Sequence, residues 1–243
     1  MISVVAPTLN AQASLGKTLA CLVPAALDGL VIELIVADGG SSDGTLAIAE
    51  DAGAKIVRRS GGRGAVLRAG AEAARGRWLL FLHADSRLQA GWEADAIAHI
   101  RACEAGGDRA AAFRFALDDD GVAPRVLEAM VRLRCAVLKM PYGDQGLLIS
   151  RALYDEIGGF APTPIMEDVD IVRRLGRRRM VMLKSRVLTG AVRYRRDGYA
   201  KRVVRNLKCL SMYFAGRPPD AIAAVYEGRP ARAGAAPRVE DAA

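Results

Sequence analysis

The chain has 243 residues and a formal charge of +8, with 51% of its residues hydrophobic, 26% charged and 5% aromatic. That suits one large α/β domain, with or without a tail, whose core is mostly Ala, Val, Leu and Ile. Four scattered cysteines with no CxxC pair argue against a structural zinc site and a disulfide framework, and no apolar run nears the ~18 residues that span a bilayer.

Ile2 to Ala6 reads as a strand ended by Pro7, so the sequence predicts no leader and a cytoplasmic protein. Thr8-Leu9-Asn10 is a loop, and Ser14 caps a helix reaching about Val23. Glu33 to Ala37 is a second strand. The Gly/Ser-rich turn Asp38 to Thr45 leads from it into a helix over 46–52, in which Asp43 suits an N-cap. Lys55 to Val57 is a third strand, and Gly61-Gly62-Arg63-Gly64 opens a helix over 65–74. Trp78 to Leu82 is the fourth strand. Three strand–helix alternations in eighty residues predict a doubly wound, mainly parallel sheet.

Gly91 to Cys103 reads as a helix, Ala110 to Ala116 as a strand, and Pro124 to Leu138 as a helix. Leu147 to Ile149 is a strand before a helix over 151–157 that Gly158-Gly159 ends. Another helix runs from Met166 to Leu175, and short strands follow around Val181 to Leu183 and Val187-Leu188. Between Ile171 and Leu210 fourteen Lys and Arg stand against one acid, Asp197. Within this block Tyr199 to Phe214 is an amphipathic helix, with Lys201, Arg202, Arg205 and Lys208 gathered on one side. That side suits an anionic membrane surface or a lipid-linked acceptor, or else the helix packs on the domain. From Gly228 the composition predicts a disordered tail.

Leu79-Leu80-Phe81-Leu82 runs unbroken into His83, Ala84 and Asp85. Such a run marks a parallel strand buried on both faces, and its polar end sits where open α/β sheets bind ligands. A carboxylate there suits a divalent cation that carries phosphate oxygens, or else Asp85 caps the next helix. Asp38 can accept from a base or ribose hydroxyl, or close its own turn. Pro7 and Thr8 line the same pocket. Arg63 and the N–H groups around it, at a helix N-terminus, suit a diphosphate. Leu67 stands where a GxGxxG motif needs Gly, which weakens a dehydrogenase reading. Glu167 and Asp170 share a helix face, which leaves Asp168 about 100° away and free to look into a cleft.

Taken in order, these stretches resemble the family 2 glycosyltransferases, over about residues 2–190. Ile2 to Asn10 resembles the opening strand and loop, and Val36 to Thr45 the nucleotide-binding turn. His83-Ala84-Asp85 stands in place of the DxD motif, with His for the first Asp. Gly158-Gly159-Phe160 with Glu167-Asp168-Val169-Asp170 resembles the acceptor-side block. The FLHAD variant, Pro141 to Gly146 and Met166-Glu167-Asp168 are similar to a small single-domain subfamily associated with radical-SAM proteins and arsenosugar biosynthesis. The resemblance implies a GT-A fold in residues 1–215, with a nucleotide-binding half to about 105 and an acceptor half from about 106. A short helix and tail fill 216–243.

It implies an inverting transfer from a nucleoside diphosphate sugar, UDP-linked, to a small or lipid-linked acceptor, with Mg²⁺ or Mn²⁺ on Asp85 and Asp168 as base. Pro7, Thr8, Asp38, Arg63, His83, Ala84 and Asp85 would contact the donor, and no nucleic acid is expected. The alternatives are a nucleotidyltransferase of similar fold, which wants a Gly-rich basic loop after the first strand, and a non-enzymatic protein that binds anionic surfaces.

Overall fold

The structure, a computed structural model, describes residues 1–228; the tail expected beyond Gly228 lies outside them. Strands β1 (Ile2–Thr8), β2 (Val31–Asp38), β3 (Lys55–Arg58) and β4 (Trp78–Phe81) alternate with α1 (Gln12–Ala20), α2 (Val23–Leu27), α3 (Thr45–Asp51) and α4 (Arg63–Ala73). The chain continues through β5 (Ser86–Leu88), α5 (Trp92–Gly106), β6 (Ala110–Asp118), α6 (Val122–Leu138), β7 (Leu147–Ser150) and α7 (Arg151–Glu156). It then forms α8 (Glu167–Leu175), β8 (Met180–Gly190), α9 (Val192–Asp197), α10 (Tyr199–Phe214) and α11 (Pro219–Glu227). The eight strands make one sheet in the order β3-β2-β1-β4-β7-β6-β8-β5. Its first four strands are parallel; β7 then runs antiparallel to both β4 and β6.

Side-chain alternation explains the apolar run at the centre. Leu79 and Phe81 pack on one face with Val5, Ile35 and Ile149, beneath Val66 and Leu67 of α4. Leu80 and Leu82 pack on the other with Val4, Trp92, Phe113 and Leu148. With both faces covered, no position in β4 favours a polar side chain. Each fully buried large side chain contributes about 1.5–3 kcal/mol, so the strand leading to His83 and Asp85 is firmly held.

Besides the earlier end of α1, at Ala20, and the unexpected α2, β5 and α9, the structure departs from the sequence reading in four places. β1 runs on through Pro7 to Thr8. The Leu82 N–H donates to the Val5 carbonyl, so Pro7 turns its nitrogen to that same side, past the end of β4, where a missing N–H costs no ladder bond. Ser14 lies inside α1 rather than capping it. The two strands expected between Val181 and Leu188 are one, β8, with a register shift against β6.

The fourth departure is α10, whose bounds are as expected but whose cations do not gather outward. Arg202 is only 3% exposed, and Arg205 donates to Asp197 over 2.7 Å. Asp197 draws both inward, which leaves Lys201 and Lys208 outside with Val204, Leu207 and Phe214. A longer exposed apolar stripe lies on α6, along Val122, Val126, Met130, Leu133 and Val137. Among the described residues no helix is long and apolar enough to cross a membrane.

Candidate active site

The parallel half of the sheet brings the carboxyl ends of β1, β2 and β4 side by side, with Thr8 paired to Asp38. Asp38 is 1% exposed. One of its oxygens accepts from Thr8 Oγ1 (2.9 Å) and Ser41 Oγ (2.5 Å), the other from the N–H groups of Gly40 and Ser41 (2.9 Å each). A carboxylate has about four acceptor positions, so the turn's own donors occupy them all. Burial works against ionisation here, but the bonds from Ser41, Thr8 and Gly40 outweigh it and hold the carboxyl below its ordinary range.

Asp38→Ala is therefore expected to lower unfolding free energy by about 2–4 kcal/mol at pH 7. Because the folded pKa is depressed, this contribution is complete above the unfolded value of about 3.9 and is lost as pH falls through the folded one. Denaturant melts of wild type and variant should thus converge in acid. A gap that stays constant from pH 7 to strong acid would exclude a charge-dependent role.

Beyond the end of β4 lies a cavity of about 130 Å³. Arg63, His83, Asp85, Tyr142, Asp144 and Asp168 line one part of it, and residues of α9, α10 and α11, the start of α8 and the end of β8 line the rest. Pro7, Thr8 and Asp38 are not among its walls. Ala84 faces away: its side chain packs with Leu15 and Val36, and its carbonyl accepts from Thr18 Oγ1. Asp85 is anchored through its backbone, the carbonyl accepting from the Gly190 N–H at 3.0 Å. Its carboxylate has no hydrogen-bond or ion-pair partner among the described residues.

His83 is pushed down to about 4, by burial first and then by the Arg63 guanidinium, so its ring is neutral at physiological pH. The ring crowds Gly143, where a Cβ would stand 2.9 Å from Nε2 and 3.2 Å from Asp168 Oδ2. A glycine is required for the loop to lie between these two groups. No set of three or more His, Cys, Asp or Glu side chains forms a metal cage among the described residues.

The three acids of α8 take three different roles. Glu167, fully buried, is paired with Arg63. Asp170 is bound to Arg174 one turn on, at 2.7 Å. Only Asp168 lines the cavity; its Oδ2 accepts from the Gly143 N–H and its Oδ1 from the Val169 N–H, both at 2.8 Å. Met166, just before them, holds a left-handed conformation at φ 64°. Arg63 was expected to face a diphosphate. It does line the cavity, but it is spent largely on Glu167. Its pKa is raised, burial opposing the charge while Glu167 and Asp168 outweigh that opposition.

The N-terminus of α4 is not the open anion site that the sequence suggested. Residues 161–164 lie across it, and the Gly64 N–H donates to the Thr163 carbonyl at 3.0 Å. A Cβ on Gly64 would come within 2.0 Å of the Ala161 carbonyl oxygen, and one on Gly62 within 2.4 Å of Pro164 Cα. Both positions must be bare for that crossing.

One group went unread as a site residue. Asp144 is half-buried in the cavity wall, with one carboxylate oxygen buried and unpartnered. Burial first, then Asp168 and Asp85, push its carboxyl up to about 6 against the opposing charge of Arg134. Gln145 pins this loop, donating to the Phe113 carbonyl (3.0 Å) and accepting from Arg134 (3.1 Å). The available signal was the Pro141 to Gly146 stretch, which sequence reasoning used for resemblance and not for chemistry.

Against this geometry stands a family match: residues 3–113 fit the model described as Glycosyl transferase family 2. Residues 3–113 are thus similar to the glycosyltransferase family 2 model. Over 115 residues the chain is 36% identical to a PGL/p-HBAD biosynthesis glycosyltransferase of Mycobacterium bovis, a match over 42% of this chain and 41% of that protein. Over 93 residues it is 39% identical to the glucosyl-3-phosphoglycerate synthase of Mycolicibacterium smegmatis, with 35% and 30% covered. The matched stretch thus spans less than half the length of these relatives.

Whole-chain likeness extends further. S. aureus TarS superposes with a TM-score of 0.63 at 17% identity, over 93% of this chain and 70% of that one. Glucosyl-3-phosphoglycerate synthase of Mycobacterium tuberculosis, crystallised with Mn²⁺, UDP and glucosyl-3-phosphoglycerate, gives 0.57 at 24%, over 91% and 82%. The chain therefore has the GT-A fold.

Proposed function

We propose that the chain is an inverting glycosyltransferase, moving a sugar from a nucleoside diphosphate, UDP in the first instance, to the hydroxyl of a small or lipid-linked acceptor. The observation that carries this is the Asp85 carboxylate, partnerless among the described residues, beside a neutral His83 and sharing a cavity with Asp168. Such a pair fits a Mg²⁺ or Mn²⁺ ion that completes its shell with phosphate oxygens and water. The Mn²⁺ and UDP held by the mycobacterial synthase support the same assignment. Asp85 would hold the ion, with His83 as the second candidate ligand. A cation there would neutralise charge on the departing diphosphate.

The chain's own groups do the rest. Pro7, Thr8 and the 39–41 turn held by Asp38 would receive the nucleoside, and the Ala84 backbone continues that wall toward Asp85. Arg63 adds positive charge near the diphosphate while bracing Glu167. Asp168, aimed by the Gly143 N–H, takes the proton of the acceptor hydroxyl. The acceptor oxygen bonds to the anomeric carbon as the bond from that carbon to the diphosphate oxygen breaks, and attack from the opposite side inverts the centre.

Thermal melts with UDP, GDP and ADP, with and without Mn²⁺, test the reading. A nucleotide at a hundredfold excess over its Kd adds about 2.7 kcal/mol to the folded state, and the largest rise is expected for UDP with Mn²⁺. If no nucleoside diphosphate raises the Tm at millimolar concentration with either metal, the assignment fails.

A further inference from the structure

The cavity's remaining walls carry a second kind of chemistry. Arg193 of α9, Arg202 and Asn206 of α10 and Tyr226 of α11 all face it. Arg202 is 3% exposed, so its charge sits in a poorly solvated place. Its guanidinium stacks on the Tyr226 ring, 4.2 Å from the centroid. Only Nη1 makes hydrogen bonds, and both are long: 3.4 Å to Asp197 and 3.4 Å to the Tyr226 carbonyl. Asp197 is already committed to Arg205 at 2.7 Å and to Arg196 at 2.9 Å, so one carboxylate serves three cations. The Nε and Nη2 groups of Arg202 donate to no protein acceptor among the described residues.

Arg193 adds a second cation with no carboxylate partner among the described residues; its Nη1 donates to the Tyr226 hydroxyl at 2.8 Å. Beside them the Asn206 side-chain oxygen is buried and unpartnered. A buried guanidinium with spare donors is costly unless an anion meets it, and its planar fork matches a carboxylate or phosphate two bonds at a time.

We infer that Arg202 and Arg193 form an anion subsite for the acceptor, which therefore carries a carboxylate or phosphate as well as the reacting hydroxyl. The spare Asn206 oxygen takes a second hydroxyl of the same molecule. This rests on the glycosyl-transfer reading, since it seats the anion at the end of the cavity away from β1 and β2. The donor's nucleoside belongs with Thr8 and the turn that Asp38 holds, which line none of this cavity, so the two substrates meet at Arg63, His83 and Asp85. With the anion on Arg202, an acceptor hydroxyl is directed toward Asp168 while its own charge is kept off the carboxylates.

Inorganic phosphate is the probe. Titration calorimetry would measure its binding to the full chain, first alone and then saturated with UDP and Mn²⁺, for wild type, Arg202→Gln, Arg202→Lys and Arg193→Gln. The subsite predicts phosphate binding in both wild-type states, weakened at least about tenfold by Arg202→Gln and by Arg193→Gln and less by Arg202→Lys. UDP affinity should change by less than about twofold. Should Arg202→Gln fail to fold, Arg193→Gln, at an exposed position, reads the same result. Absence of phosphate binding, or binding untouched by these substitutions, overturns the subsite. A tenfold loss of UDP affinity overturns it too, because the arginines would then hold the donor. Failure of wild type to bind UDP with Mn²⁺ would instead count against the glycosyl-transfer reading, leaving the phosphate result without UDP to stand on its own.

Discussion

Single-turnover transfer by Asp168→Asn is expected to fall by about 10²–10⁴-fold, with donor affinity nearly unchanged. The amide keeps the shape and can still accept from the Gly143 N–H, but it takes up no proton. Two neighbours make the comparison sharp. Asp170 is tied to Arg174 and does not line the cavity, so Asp170→Asn should transfer at close to the wild-type rate. Asp144 is the competitor: with its carboxyl pushed up to about 6, a base at that position would give a rate that falls as pH drops through about 6. Near-wild-type turnover by Asp168→Asn, joined to such an acid limb, would move the base to Asp144.

Asp85→Ala should erase the Mn²⁺-dependent part of UDP stabilisation and, with it, turnover. The substitution removes a carboxylate that supports no other protein group, so the melting temperature without ligand should move by no more than about 2 °C. These two outcomes together separate a ligand-holding role from a structural one. A variant that keeps the full metal response would place the cation elsewhere, and His83 would then need its own substitution.

The reach of the sequence was uneven, for physical reasons. Strand-terminal groups were legible because β4 is covered on both faces, and an unbroken apolar run ending in polar residues has few other meanings. The division of labour on α8 was also legible in part, since helical geometry alone turns Asp168 away from Glu167 and Asp170. What local pattern could not supply were partners distant in the chain. Arg63 and Glu167 are 104 residues apart, and nothing near Arg63 foretells that it is spent on a carboxylate.

The same limit hid the covering of the α4 N-terminus by residues 161–164, and it hid Asp144, whose carboxyl is raised by burial first and then by carboxylates on other elements. It also misplaced the charges of α10. A helical wheel puts Arg202 and Arg205 outside with the lysines, but Asp197, which precedes that helix, draws them in. The FLHAD and Pro141 to Gly146 stretches, separate in the chain, meet where Gly143 lies against His83.

The crossing of Gly62 and Gly64 by residues 161–164 has a consequence for what the chain can tolerate over evolution or in a laboratory library. Neither glycine faces the cavity, yet each sits where backbone from the second half of the chain passes over the first. That passage leads within a few residues to Met166 and the start of α8, and so to Asp168. A methyl group at position 64 would have to displace the strap, and with it the placement of a carboxylate a hundred residues downstream. Two residues with no side chain and no chemistry thus constrain the cavity as firmly as the carboxylate they help to locate, and substitution at either should be tolerated only with compensating change in 161–164.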